Sequence, residues 1–224
     1  AIAIQKKIPV YDGEFVRQVA GDRAQRLVLL SEWTSVFATG AGIILIKNAM
    51  DSLDVVDRAT VVFEALIDQE KAGKGGGGDH FAKAGANDRV WNVLEKHCLA
   101  DPANFASYYA SDAIAMASEA WLGRGYQMTA QVNRVNPGGA AQKPHRDYHL
   151  GFMLPEQTTG FPVHVHRMSP FLTLQGAVAH CDMPLESGPT QLLPFSQQFL
   201  EGYLAFGRDA FQQHFAQNHI QIPL

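Results

Sequence analysis

Apolar and polar positions keep a helical spacing through the first half of the chain and change to a period of two near residue 126. Residues 14–38 mix apolar and charged side chains at helical spacing until Gly40 and Gly42 break the pattern. Ile43-Ile44-Leu45-Ile46 is continuously apolar and largely β-branched, which predicts a buried strand. Asp51 is placed to cap a helix over residues 52–70, with Val56, Ala59, Phe63 and Leu66 on its inner face. A short helix is expected over residues 89–98. Asp101-Pro102 opens another, with the aspartate as cap and the proline in the first helical position. Its inward stripe is Phe105, Tyr109, Ala113, Met116 and Ala120, closed by Trp121.

From Tyr126, Gln127, Thr129, Gln131 and Asn133 fall on one face of a strand, and Tyr126, Met128, Ala130 and Val132 on the other. A half-buried antiparallel strand has this pattern, and in a small barrel the polar face lines the cavity. Pro137-Gly138-Gly139 makes a turn. Val163-His164-Val165-His166 reads as a short strand and residues 171–181 as a central one. Glu186-Ser187-Gly188-Pro189 turns the chain, and helical sequence follows to about His214 before a terminal strand. Helices first and short strands with Gly/Pro turns afterwards predict an α+β domain whose β part is a sandwich or barrel.

Composition narrows the class. A chain of 224 residues, 46% hydrophobic and 18% charged, is long enough for one domain with a sizeable core. A net charge of −4 without a long run of either sign leaves no electrostatic footprint for nucleic acid or an anionic membrane. No apolar stretch has the length of a membrane span, and the first residues lack the form of a signal peptide. Cys98 and Cys181 make no disulfide framework, so a reducing cytoplasm is expected. The sequence carries no signal for oligomeric state. It starts without Met, and its apolar ending, Ile220-Gln221-Ile222-Pro223-Leu224, reads as a strand cut short.

Candidate chemistry lies at His145-Arg146-Asp147. On an extended strand the first and third side chains share a face, so His145 and Asp147 can grip one edge of a metal. With a second histidine they would form the 2-His-1-carboxylate arrangement that leaves positions open on Fe(II). Strand parity points Arg146 and Tyr148 away and puts His149 on the ligand face. Lys71-Ala72-Gly73-Lys74-Gly75-Gly76-Gly77-Gly78-Asp79 is no phosphate-binding loop, because the Gly-Lys-Ser/Thr ending is absent. It reads as a flexible loop, and in a functional version as a lid reaching Asn87, with Asp79, His80 and Lys83 as substrate contacts.

These stretches together resemble the phytanoyl-CoA dioxygenase family of Fe(II)/2-oxoglutarate oxygenases. The resemblance covers most of the chain. It runs through residues 40–46, the helical region, the turn Asn136-Pro137-Gly138-Gly139 and His145-x-Asp147. It continues through Ala179-His180-Cys181-Asp182-Met183-Pro184-Leu185-Glu186-Ser187-Gly188-Pro189-Thr190-Gln191-Leu192-Leu193-Pro194-Phe195-Ser196. It implies a double-stranded β-helix, a cupin-like jelly roll, over residues 123–224. Helices over residues 1–122 would flank it, in one domain that lacks its last strands. It implies His145 and Asp147 as iron ligands, and Gln127 and Asn133 as contacts to 2-oxoglutarate. Thr129, Gln131 and His149 would line the substrate pocket. The partners implied are a small-molecule substrate and O₂. A carboxylate at position 147, where related halogenases carry a small residue, implies hydroxylation.

The family's third ligand, a later histidine, and the arginine that holds 2-oxoglutarate have no counterpart in their family setting. His214 and His219 are the nearest substitutes, with no arginine after either. That departure keeps open a non-catalytic binding or structural domain on the same fold. A cupin-type site through His164-x-His166 is weaker, because no glutamate follows at the needed spacing. A zinc hydrolase would need a further ligand and a general base that the sequence does not single out.

Overall fold

The computed structural model describes residues 1–73, 85–139, 141–142, 144–145, 155–199 and 207–224. Two compact units emerge: Ala1–Ala49, Asp112–Tyr126 and Pro144–Leu224 form the first, Met50–Ser111 and Gln127–Lys143 the second. The described residues are mixed α and β with two small sheets.

In the first unit, β1 (Ala3–Gln5) and β2 (Ile8–Asp12) form an antiparallel hairpin, and β3 (Leu45–Lys47) joins β2 in parallel. The hairpin turn is Lys6-Lys7, both at positive φ (47° and 74°), as a two-residue turn matched to strand twist demands. The apolar run at 43–46 therefore enters a strand late, at Leu45, and Ile44 and Ile46 pack against the core from its edge. Helical spacing over 14–38 resolves into two helices, α1 (Gly13–Ala20) and α2 (Arg23–Ala38). Asp12 caps α1 by accepting from Glu14 N, and Asp22 caps α2 by accepting from Ala24 N and Gln25 N. Leu29, Leu30, Trp33 and Phe37 turn one side of α2 onto Tyr11, Val16, Val19, Ala113 and Met116, the buried cluster of this unit.

In the second unit, α3 (Leu53–Ala72) buries Val56, Ala59, Phe63 and Leu66 as its spacing predicts, and Ile67 with them. Its cap is Ser52, whose hydroxyl accepts from Asp54 N, so the helix starts one residue later than an Asp51 cap would place it. Residues 89–98 are not one helix. Asn87–Val90 forms β4, antiparallel to β5 (Val132–Val135), and α4 (Val93–Ala100) follows. Asp101 caps α5 (Pro102–Tyr109) through Asn104 N. The chain breaks at Ser111 before α6 (Asp112–Leu122), which belongs to the first unit. The expected stripe is therefore not continuous: Asn104 and Tyr108 are the buried positions of α5, with Phe105 and Tyr109 beside them half-buried.

After α7 (Pro155–Thr158), two expected strands do not form. Residues 163–166 open the helix α8 (Val163–Met168), with Val165 N bonded to Pro162 O. Four alternating residues are too few for period two to exclude a helix, and a helix satisfies its own backbone where, among the described residues, no strand adjoins. Residues 171–181 pass from a 3₁₀ turn (Ser169–Leu172) into irregular chain, half-buried and exposed. A turn at Leu185–Ser187 ends on Gly188 in the left-handed conformation, as its sequence predicts. The terminal residues pair: Leu192 and Ile220 exchange both backbone bonds, as do Met183 and Leu224. Helical sequence toward His214 appears as α9 (Asp209–Asn218).

Candidate functional site

The approach to His145 is set by a turn that sequence alone explains. Pro137 and Gly138 occupy its central positions, Gly138 at φ +77°, and Gly139 N bonds Asn136 O at 2.8 Å, which is a type II turn. Gly139 also lies so close to β4 that a Cβ on it would meet Ala86 O at 2.3 Å. Only glycine lets the backbone pass there.

Period two is observed in the burial of the preceding stretch. Gln127, Thr129, Gln131 and Asn133 are exposed, and Met128, Ala130 and Val132 half-buried. Hydrogen-bonded strand begins only at Val132, so Gln127 and Thr129 precede β5. Two cross-strand bonds order the polar face. Asn87 Nδ2 donates to Asn133 Oδ1 at 2.6 Å, and Arg89 Nη1 donates to Gln131 Oε1 at 2.8 Å. The Arg89 guanidinium lies over the Trp91 ring, 5.2 Å from its centroid. On the other face Asp88 takes Lys71 at 2.9 Å and Arg134 at 2.8 Å. Burial pushes the Asp88 carboxyl up, but the bonds from Lys71, Arg134 and Asn136 outweigh it and hold it below the usual carboxylate range. Charge on the sheet is thereby divided: an ion-paired face behind, and a face of amides, one guanidinium and one indole in front. The front face offers donors and acceptors to carboxylate and carbonyl groups.

Asn87, Arg89 and Trp91 were missed by a helical reading of 89–98. Their alternation with the buried Ala86 and Val90 is the signal that finds them.

His145 is half-buried in the first unit, whereas Gln127, Thr129, Gln131 and Asn133 belong to the second. The carbonyl of Pro144, just before His145, accepts from Gln212 Nε2 on α9 at 3.4 Å. Asp147, His149, Asp79, His80 and Lys83 lie outside the described residues. Among the described residues no three of His, Cys, Asp and Glu come together to hold a metal ion. His214 is exposed, its Nδ1 3.3 Å from Asn218 Nδ2. His219 stacks on Phe215, and its Nδ1 lies 3.1 Å from the Phe215 carbonyl. His164 and His166 lie two apart on a helix, not on one strand face, and His166 is buried against Phe161.

The family model for phytanoyl-CoA dioxygenase matches residues 39–224, a span that runs across β3, the polar face of β5, the type II turn and His145-x-Asp147. The chain belongs to the phytanoyl-CoA dioxygenase family. No curated protein and no solved structure matches it. Dioxygenases of this family work with Fe(II) and 2-oxoglutarate on small molecules with O₂, on a cupin-like jelly roll. No described helix is long and apolar enough to cross a membrane. Within the matched span, the turn from Asn136 to Gly139 forms as its sequence predicts.

Proposed function

We propose that this protein is a non-haem Fe(II)/2-oxoglutarate-dependent dioxygenase that hydroxylates a small molecule. The family match across His145-x-Asp147 carries this reading. An imidazole and a carboxylate are donors suited to Fe(II) when further positions stay open. His145 and Asp147 would hold the metal. The carbonyl just before His145 accepts a long bond from Gln212 Nε2, 3.4 Å. When bound, Fe(II) and 2-oxoglutarate supply O₂ activation, with one oxygen atom entering the substrate and the other the succinate left after CO₂ departs.

The chain's own residues bind and orient. Gln127 and Asn133 would contact 2-oxoglutarate, and Thr129, Gln131 and His149 would contribute to the substrate pocket. Asn133 and Gln131 are held for this by Asn87 and Arg89. On this reading residues 123–224 would correspond to the family's jelly-roll part and residues 1–122 to its helical part, in one cytoplasmic domain, although β5 is the one named strand among the described residues of 123–224.

Anaerobic addition of Fe(II) and 2-oxoglutarate to the full-length protein should produce the visible charge-transfer band of an iron–oxoglutarate chelate. His145→Ala should abolish both the band and iron retention. If the full-length protein gives no band and retains no iron, the oxygenase reading fails and a non-catalytic domain on the same fold replaces it.

A further inference from the structure

A cavity of about 600 Å³ opens in the first unit between α9 and residues 193–199. We propose that it binds an organic acid with an apolar body and one anionic group, and that Arg208 receives the anion. Its size falls in the range of small-molecule sites, roughly 300–1,000 Å³. Leu193, Pro194, Phe195, Phe199 and Phe211 make the walls apolar, and Arg208, Ser196 and His214 are the polar groups that reach it.

One wall is built rather than incidental. Phe195 is held at φ +68°, a conformation that costs a bulky residue about 1–2 kcal/mol. Phe195 nevertheless stays 43% exposed. The turn that imposes this is bolted to the end of α2. Phe195 N bonds Ala41 O at 2.9 Å, Gln197 Nε2 bonds Phe37 O at 3.2 Å and Gly40 O at 2.9 Å, and Gln198 Nε2 bonds Thr39 O at 2.7 Å. Strain kept by this many bonds, with the aromatic side chain left facing an open cavity, is the signature of a preorganised contact surface.

Charge selects the ligand. Among the described residues no ion pair engages Arg208, nor Arg23 or Arg167, and of these three Arg208 is the one that lines the cavity. Asp209 follows Arg208 in sequence but does not line the cavity. Among the described residues the lining carries one guanidinium, which suits one carboxylate. That is fewer cations than the phosphates of a coenzyme A thioester call for. Gln212, one turn along α9, bonds the carbonyl before His145. Calling the acid a substrate therefore rests on the oxygenase reading; its binding does not.

Isothermal titration of the metal-free full-length protein with decanoate and with decan-1-ol separates the two. Decanoate should bind saturably. Arg208→Ala should weaken it about tenfold or more while leaving decan-1-ol within about twofold. Ala210→Trp, which fills the cavity from α9, should remove both. Circular dichroism establishes that each variant is folded. No saturable decanoate binding, or equal binding by wild type and Arg208→Ala, overturns the proposal. Because no iron is present, that failure is distinct from loss of the iron–oxoglutarate band.

Discussion

Glu119 on α6 is gripped by two arginines, and replacing it tests how the first unit holds its helices together. Arg26 on α2 and Arg124 beyond the end of α6 both donate to its carboxylate. Its side chain is 18% exposed. The bond from Arg26, supported by Arg124 and by both charges, overcomes desolvation and pushes the carboxyl down from 4.5 to about 2. A folded-state value below the unfolded one means stability that is complete above pH 4.5 and lost as pH falls toward about 2. The full displacement corresponds to a ceiling of about 3 kcal/mol. Solvent around Arg124, 84% exposed, lowers the expected contribution to about 1–2 kcal/mol. Glu119→Gln should therefore unfold at lower urea than wild type at pH 7, by that amount. The gap should shrink to under half by about pH 3, because wild type loses what the variant never had. Urea titrations of both proteins at several pH values measure it. A gap that stays constant from pH 7 to 3 would refute the electrostatic account and leave packing alone as its cause. The consequence reaches the cavity, since α2 carries at its far end the carbonyls that hold Gln197 and Gln198.

Three further substitutions follow from backbone and core geometry. Gly13→Ala would bring a Cβ to 2.0 Å from Asn48 O, and the backbone on both sides must shift. A loss of about 2–3 kcal/mol is expected, seen as a melting temperature lower by roughly 4–12 °C. Lys7→Gly relieves a left-handed lysine at φ 74° in an exposed hairpin turn and should raise the melting temperature by about 2–4 °C; a fall would show that the lysine side chain stabilises the turn. Asn104→Ala breaks a buried pair of bonds, since Asn104 Nδ2 donates to Val55 O and its Oδ1 accepts from His97 Nε2, a ring 0% exposed within Phe63, Phe105, Tyr108 and Tyr109. The orphaned imidazole donor should cost about 2–4 kcal/mol in urea unfolding, and a loss under about 1 kcal/mol would mean that His97 finds another acceptor.

Local rules decided much of this protein. The inner face of α3, the Asp101-Pro102 start of α5, the turn at Asn136 and the alternation from Tyr126 to Asn133 all depend on side chains within a few residues of one another. Their chemistry is therefore complete in the sequence. The pair His145-x-Asp147 and the family to which the chain belongs were legible for the same reason: a motif of fixed spacing carries its own geometry. Tertiary structure decided what depends on a neighbour distant in sequence. A strand exists only where another strand takes its hydrogen bonds. Residues 87–90 became one because β5 lies beside them, and residues 171–181, with better strand composition, did not. In the same way, nothing local in Phe195 predicts its left-handed backbone. Two glutamines reaching carbonyls at the end of α2, about 160 residues earlier, hold it there and leave an aromatic wall facing Arg208.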